Sequence, residues 1–144
     1  MKKAFSILEV IIVILIISII LSFTIPKFNL ISQNTNFLKL KADIALIQNG
    51  ITNLKKQKVL QNNYEEIDTL DSALNLNANE KLFSNILQYP LNSTSNTLKQ
   101  KGFWYKKSSK EYVFILDDKN EVLFELLDSN FSCIKPKEVC EELY

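Results

Sequence analysis

Hydrophobic and polar positions fall into three regimes along the chain. From Phe5 to Ile25, twenty-one residues carry a single charge, Glu9. As a helix this run is about 30 Å long, close to one hydrocarbon core. Its VIIVILIISIIL stretch is apolar on every side, as expected of a helix surrounded by lipid or protein. Beyond Pro26, which lacks an N–H and should bend or interrupt the helix, the pattern narrows to a stripe. Leu30, Phe37, Leu40, Ile44, Ile47, Ile51 and Leu54 recur at heptad-like spacing, with Lys39, Lys41, Asp43, Asn49, Lys55 and Lys56 mostly elsewhere. The spacing predicts an amphipathic helix to about residue 60, packed on a sheet through that stripe. Gly50 in its interior costs about 1 kcal/mol against Ala and suggests close packing.

From Gln61 to Gln100 the chain is rich in Asn and Ser and periodicity fades. NANEKLFSNILQYP reads as a short helix capped by Asn79 and stopped by Pro90. NSTSNT (92–97) reads as a surface loop. Four acids gather in Tyr64–Asp71, without the residue order of an EF-hand, and read as a solvated loop or helix start. After Gly102 the period shortens. FWYKK, EYVFIL and EVLFELL are strand-like runs joined by SSK and DDKN turns, with Asp117–Asn120 closing a hairpin between the last two. The fold class is therefore α+β: a long N-terminal helix, a transmembrane half followed by an amphipathic half, packed on a small C-terminal antiparallel sheet.

Composition removes most chemistry from this outline. There are 17 Lys, no Arg and 16 acids, and after residue 26 the two signs balance at 15 each. No global field draws the chain to nucleic acid or to anionic lipid. The absence of His removes the usual general base and the commonest metal ligand. Two cysteines cannot make a four-thiolate zinc site, and two glycines cannot make a phosphate loop. No catalytic constellation, metal site or cofactor site emerges, so the expectation is not an enzyme.

Lys2 and Lys3 precede the apolar run, and only Lys27 follows it closely. The positive-inside rule then keeps the N-terminus cytoplasmic and exports the rest. A cleaved secretory signal has a shorter apolar core and a small-residue cut site after it, which SFTIPKF supplies weakly. A plain signal-anchor suits the length but leaves Glu9 without a purpose. A charge at mid-membrane costs about 3 kcal/mol on insertion scales, and an intramembrane acid suggests function by default.

The residues Lys2-Lys3-Ala4-Phe5-Ser6-Ile7-Leu8-Glu9-Val10 resemble the class III signal of type IV pilins and pseudopilins. That signal has a short basic leader, a small residue, then Phe-Thr-Leu-Ile-Glu and a long apolar run. Ala4 stands where Gly is usual, Ser6 where Thr is, and Ile7-Leu8 inverts Leu-Ile. The resemblance implies cleavage by a prepilin peptidase between Ala4 and Phe5 and N-methylation of Phe5. The mature chain then carries Glu9 as its fifth residue, and Pro26 at the position of a helix-bending proline. It further implies that Glu9 sets subunit register by meeting the Phe5 ammonium of a neighbouring subunit, a use of a buried pair for specificity.

The organisation expected is a leader at 1–4, a transmembrane and filament-core helix at 5–26, and a periplasmic domain of pilin fold at 27–144. The expected role is a structural subunit of a periplasmic pseudopilus, in a type II secretion-like or DNA-uptake system. Its implied partners are prepilin peptidase, like subunits, an inner-membrane platform protein and an assembly ATPase. A major or minor type IV pilin is the alternative within the family. A signal-anchored periplasmic binding module that never assembles is the alternative outside it.

Export places Cys133 and Cys140 in an oxidising compartment, where they are expected to bond and pin the C-terminal segment; a loop this short adds about 2–3 kcal/mol in the chain-entropy model. A C-terminal disulfide loop is also common among type IV pilins. The acids Asp117 and Asp118 could bind calcium, as some pseudopilins do near the C-terminus, but turn chemistry alone suffices for them. Lys99, Lys101, Lys106, Lys107 and Lys110 surround Phe103, Trp104, Tyr105 and Tyr112. Lysines interleaved with rings could bind single-stranded DNA, although an edge strand with inward aromatics and guarding lysines has the same sequence.

Overall fold

The computed structural model describes residues 7–143, and within that range the side chains of 23–34 fall outside the description. The described residues divide into two units, one ending at Thr35 and the other beginning at Asn36.

Helix α1 (Ile7–Leu60) runs through both, and its helical assignment continues through Pro26, so the proline does not end the element. Among the described residues no helix is long and apolar enough to cross a membrane. Their described apolar side chains extend from Ile7 to Ser22, about 24 Å of helix. Phe5, Ser6 and the side chains of 23–26, which complete the expected span, lie outside the described residues.

In the second unit, α1 meets the sheet as its stripe dictates. Leu40, Ile44, Ile47 and Ile51 are buried, and Phe37 and Leu54 pack beside them. Leu30 lies outside the described side chains. The helix ends in a Schellman motif: Asn62 takes φ 55°, Asn62 N–H bonds Val59 O at 3.0 Å, and Asn63 N–H bonds Lys58 O at 2.9 Å.

Segment 61–100 corrects two expectations. NANEKLFSNILQYP is not a helix. Its residues form β1 (Lys81–Leu82), followed by turns, and β1 pairs antiparallel with β2 (Leu91–Asn92). Asn79 and Phe83 both take positive φ, and no helix runs through Phe83 in that conformation. NSTSNT is not a surface loop throughout either, since Ser93, Thr94 and Ser95 are buried. Their hydroxyls take the place of regular structure. Ser93 Oγ donates to Asn77 O at 2.7 Å and accepts from Glu80 N at 2.9 Å, and Thr94 Oγ1 accepts from Gln100 N at 3.2 Å.

The sheet is a meander of four antiparallel strands, β3 (Trp104–Lys106), β4 (Glu111–Ile115), β5 (Glu121–Leu127) and β6 (Asn130–Lys135). Alternation sends Trp104, Tyr112, Phe114, Phe124, Leu126 and Phe131 into the core with α1, and Tyr105, Val113, Ile115 and Leu123 into a second cluster. The expected Asp117–Asn120 hairpin joins β4 and β5. Strand β6 and α2 (Lys137–Leu143) lie beyond the predicted elements, and Val139 and Leu143 of α2 pack against the core.

Candidate assembly helix and polar supports of the domain

Glu9 lies in the first turn of α1, where a carboxylate complements the helix dipole. From Ile7 to Ser22 every described side chain is exposed, and all but Glu9 and Ser18 before Ser22 are aliphatic. Ser18 satisfies its hydroxyl within the helix, donating to Ile14 O at 2.8 Å. Such back-bonding is what an apolar environment demands of a serine. The unit thus offers an apolar cylinder with one acid near its start. Ala4 and Phe5, the expected cleavage and methylation residues, lie outside the described residues, as does the side chain of Pro26.

The densest polar cluster sits inside the other unit. Asp71, with a fully buried side chain, accepts from Lys106 Nζ at 2.8 Å, Tyr112 Oη at 3.0 Å, Phe83 N at 2.8 Å and Ala73 N at 3.1 Å. Lys106, 6% exposed, also donates to the carbonyls of Asp71 and Ala73. Burial pushes the Tyr112 phenol far above its usual range, and the Asp71 charge and hydrogen bond add to that. One carboxylate therefore ties residues 71–83 to two strands of the sheet. It also holds Phe83, a bulky residue at φ 61°, in a conformation that costs about 1–3 kcal/mol.

A second support joins helix to sheet. Trp104 Nε1 donates to Asp43 Oδ2 at 2.9 Å, so Asp43 is buried beside the apolar stripe and not on the solvent side. Burial raises the Asp43 carboxyl, partly offset by the Trp104 bond and the charge of Lys39. Lys39 itself reaches the Gly102 carbonyl and lies over the Phe103 ring, 4.5 Å from its centroid.

The lysines set out as a DNA surface are not left bare. Lys99 pairs with Glu121 at 2.6 Å, Lys101 with Asp118 at 2.6 Å, Lys107 with Glu111 at 3.2 Å and Lys110 with Asp68 at 3.2 Å. Lys106 is in the buried knot, and the Trp104 ring is 1% exposed. As folded, Trp104 presents no stacking face and Lys106 no free charge. Tyr105 is also buried, and burial with the nearby Glu121 lifts its phenol to about 12.

Cys133 and Cys140 are joined by a disulfide, Cα–Cα 5.5 Å, that clasps β6 to α2. Among the described residues no cluster of His, Cys, Asp or Glu could hold a metal ion. Asp117 acts as a turn residue. Burial acts to raise its carboxyl, but hydrogen bonds from Asn120 Nδ2, Lys119 N and Asn120 N outweigh this and lower it. Asp43 and Asp71 join Ser93, Thr94, Ser95 and Lys106 among the polar residues that the sequence places outside and the fold buries. Asp43 left one signal, its position between Leu40 and Ile44 on the stripe. Asp71 left none, because apart from Ala73 N its partners lie 12 to 41 positions away.

No family model matches the chain, and searches among curated proteins and solved structures return no match.

Proposed function

We propose that this chain is a structural subunit of a pilin-like filament, a pseudopilus of a type II secretion-like or DNA-uptake system, and that it catalyses nothing. The observation that carries the reading is Glu9 in the first turn of a helix whose described residues to Ser22 are otherwise uncharged and exposed. It stands behind the Lys2-Lys3-Ala4-Phe5 leader pattern. In lipid an isolated Glu9 is a liability, whereas paired with the amine of a neighbouring subunit it fixes axial register. Prepilin peptidase removes residues 1–4, and Phe5 becomes the methylated N-terminus. The helix 5–26 anchors the subunit in the inner membrane with the domain in the periplasm, until a platform protein and an ATPase drive its insertion into the filament. The Cys133–Cys140 bond supports an oxidising location for the domain.

The test is the intact mass and N-terminal fragment spectrum of protein extracted from its native membrane. The expected species lacks Met1 to Ala4 and begins with methylated Phe5. In that background Glu9→Ala should insert in the membrane and fail to cross-link between subunits. A chain that keeps Lys2 and Lys3 in a host with active prepilin peptidase would sink the reading and leave an anchored periplasmic module.

A further inference from the structure

The exported domain ends its β5–β6 hairpin in a sequence pattern that the assembly reading does not use: Asp128-Ser129-Asn130-Phe131-Ser132. Asn-x-Ser is an acceptor for N-linked glycan in exported proteins, where the hydroxyl at the third position helps present the amide. Bacterial-type transferases additionally take an acid two residues before the Asn, a role Asp128 fills.

The folded hairpin leaves room for a glycan on this Asn. Leu127 and Asn130 are paired, with Asp128 and Ser129 between them at φ 49° and 58°, the two-residue turn that matches strand twist. Ser129 is buried and its hydroxyl accepts from Ile67 N at 2.7 Å, which fixes the turn. Asp128 and Asn130 are exposed on either side of it. Among the described residues the Asn130 side-chain amide has no hydrogen-bond partner.

A second acceptor pattern, Asn92-Ser93-Thr94, serves as an internal comparison. Pro90 occupies its acid position, so this segment lacks the acid before the chain folds.

We infer that Asn130 is an N-glycosylation acceptor, modified by a periplasmic oligosaccharyltransferase from a polyprenyl-pyrophosphate-linked oligosaccharide. In the transfer, Asn130 Nδ2 forms a bond to the anomeric carbon. The bond from that carbon to the pyrophosphate oxygen breaks with its electron pair, and the lipid pyrophosphate leaves. The displaced amide proton passes to a base of the transferase, and nothing is oxidised or reduced. Phe131 is stacked on Phe124 with ring centroids 5.2 Å apart and is 2% exposed, so the folded hairpin withholds the acceptor segment. Transfer therefore precedes docking of β6, and the exposed position of Asn130 then lets the sheet close with the glycan outside.

The inference rests on the exported topology proposed above, and the experiment separates the two. The full chain is produced in a bacterial strain with an active oligosaccharyltransferase, its lipid-linked donor and a control acceptor protein. The intact mass and the peptide holding Asn130 are read by mass spectrometry, and protease is added to spheroplasts to read exposure of the domain. The expected result is a domain open to protease, carrying one glycan mass on Asn130. That mass is lost in Asn130→Gln and Ser132→Ala, lowered in Asp128→Ala and kept in Asn92→Gln. Ser132→Ala leaves Asn130 in place, so its loss of glycan does not depend on removing the acceptor. An unmodified chain beside a modified control, in a domain that protease reaches, overturns the inference alone. Glycan retained in Asn130→Gln does the same. A domain shielded from protease overturns the topology and the acceptor together.

Discussion

Removal of the Asp71 carboxylate is the harshest test of how the domain holds its irregular half. Asp71→Ala leaves the Lys106 ammonium 6% exposed with only two carbonyls, and it strips acceptors from Tyr112 Oη and from the N–H groups of Ala73 and Phe83. Breaking a buried pair by deleting one partner costs about 3–5 kcal/mol. The lost acceptor for Phe83 also releases a strained backbone, so a loss of about 4 kcal/mol is expected, against a total stability of about 5–15 kcal/mol. Lys106→Met should cost less, about 1–3 kcal/mol, because Asp71 keeps three donors. The double variant leaves no charge in this cluster and should fall short of the sum of the two by about 2 kcal/mol. Urea unfolding of the full chain in detergent micelles reads all three, with Trp104, the sole tryptophan, as fluorophore. A loss below about 1 kcal/mol for Asp71→Ala, or additive single variants, would refute the view of this cluster as the anchor of residues 71–83.

Three further outcomes follow from other contacts. A Cβ on Gly50 would stand 2.6 Å from the Ile86 carbonyl oxygen, so Gly50→Ala should lower the melting temperature; overpacking of about 1–3 kcal/mol outweighs the helix-propensity gain of about 1 kcal/mol, and a raised melting temperature would contradict this. The folded Asp43 carboxyl keeps its proton to higher pH than the unfolded one, so the folded state binds more protons between the unfolded carboxylate range and that raised value. Stability should then fall as pH rises through that window, and Asp43→Asn should flatten the fall in a series of urea midpoints. Reduction of Cys133–Cys140, or Cys140→Ser, should cost about 2–3 kcal/mol and make the backbone of α2 exchange its amide hydrogens faster than that of β4.

The helix stripe and the strand runs were legible because each is a local period that the packing keeps. Leu40, Ile44, Ile47 and Ile51 face one sheet, and the alternation in EYVFIL and EVLFELL survives as two faces. Segment 61–100 was not legible, for a physical reason. Its order comes from scattered long-range contacts, the Asp71 cluster with the sheet, Ser93 with Asn77 and Glu80, and burial of Ile67, Leu70, Leu82 and Phe83, which leave no period to read. NANEKLFSNILQYP has helical propensity, but Phe83 at φ 61° buried against Tyr112, Trp104 and Phe131 overrides it. The lysine and aromatic run was ambiguous for the opposite reason. Its residues pair with acids scattered from Asp68 to Glu121, and sequence spacing could not reveal those partners.

The two units divide the physical tasks of the proposed subunit. In the domain, the described residues leave no buried side-chain polar atom without a partner, and four exposed lysines are each neutralised by an acid. Exposed pairs of that kind contribute about 0–1 kcal/mol each. Along Ile7–Ser22 the balance is reversed: aliphatic surface is exposed on every side, and the one charge is Glu9. Aliphatic contact between helices in lipid is nearly indifferent to sliding, because lipid tails are as apolar as the side chains they replace. Axial register in the proposed assembly therefore needs a polar group, which is the role proposed above for Glu9.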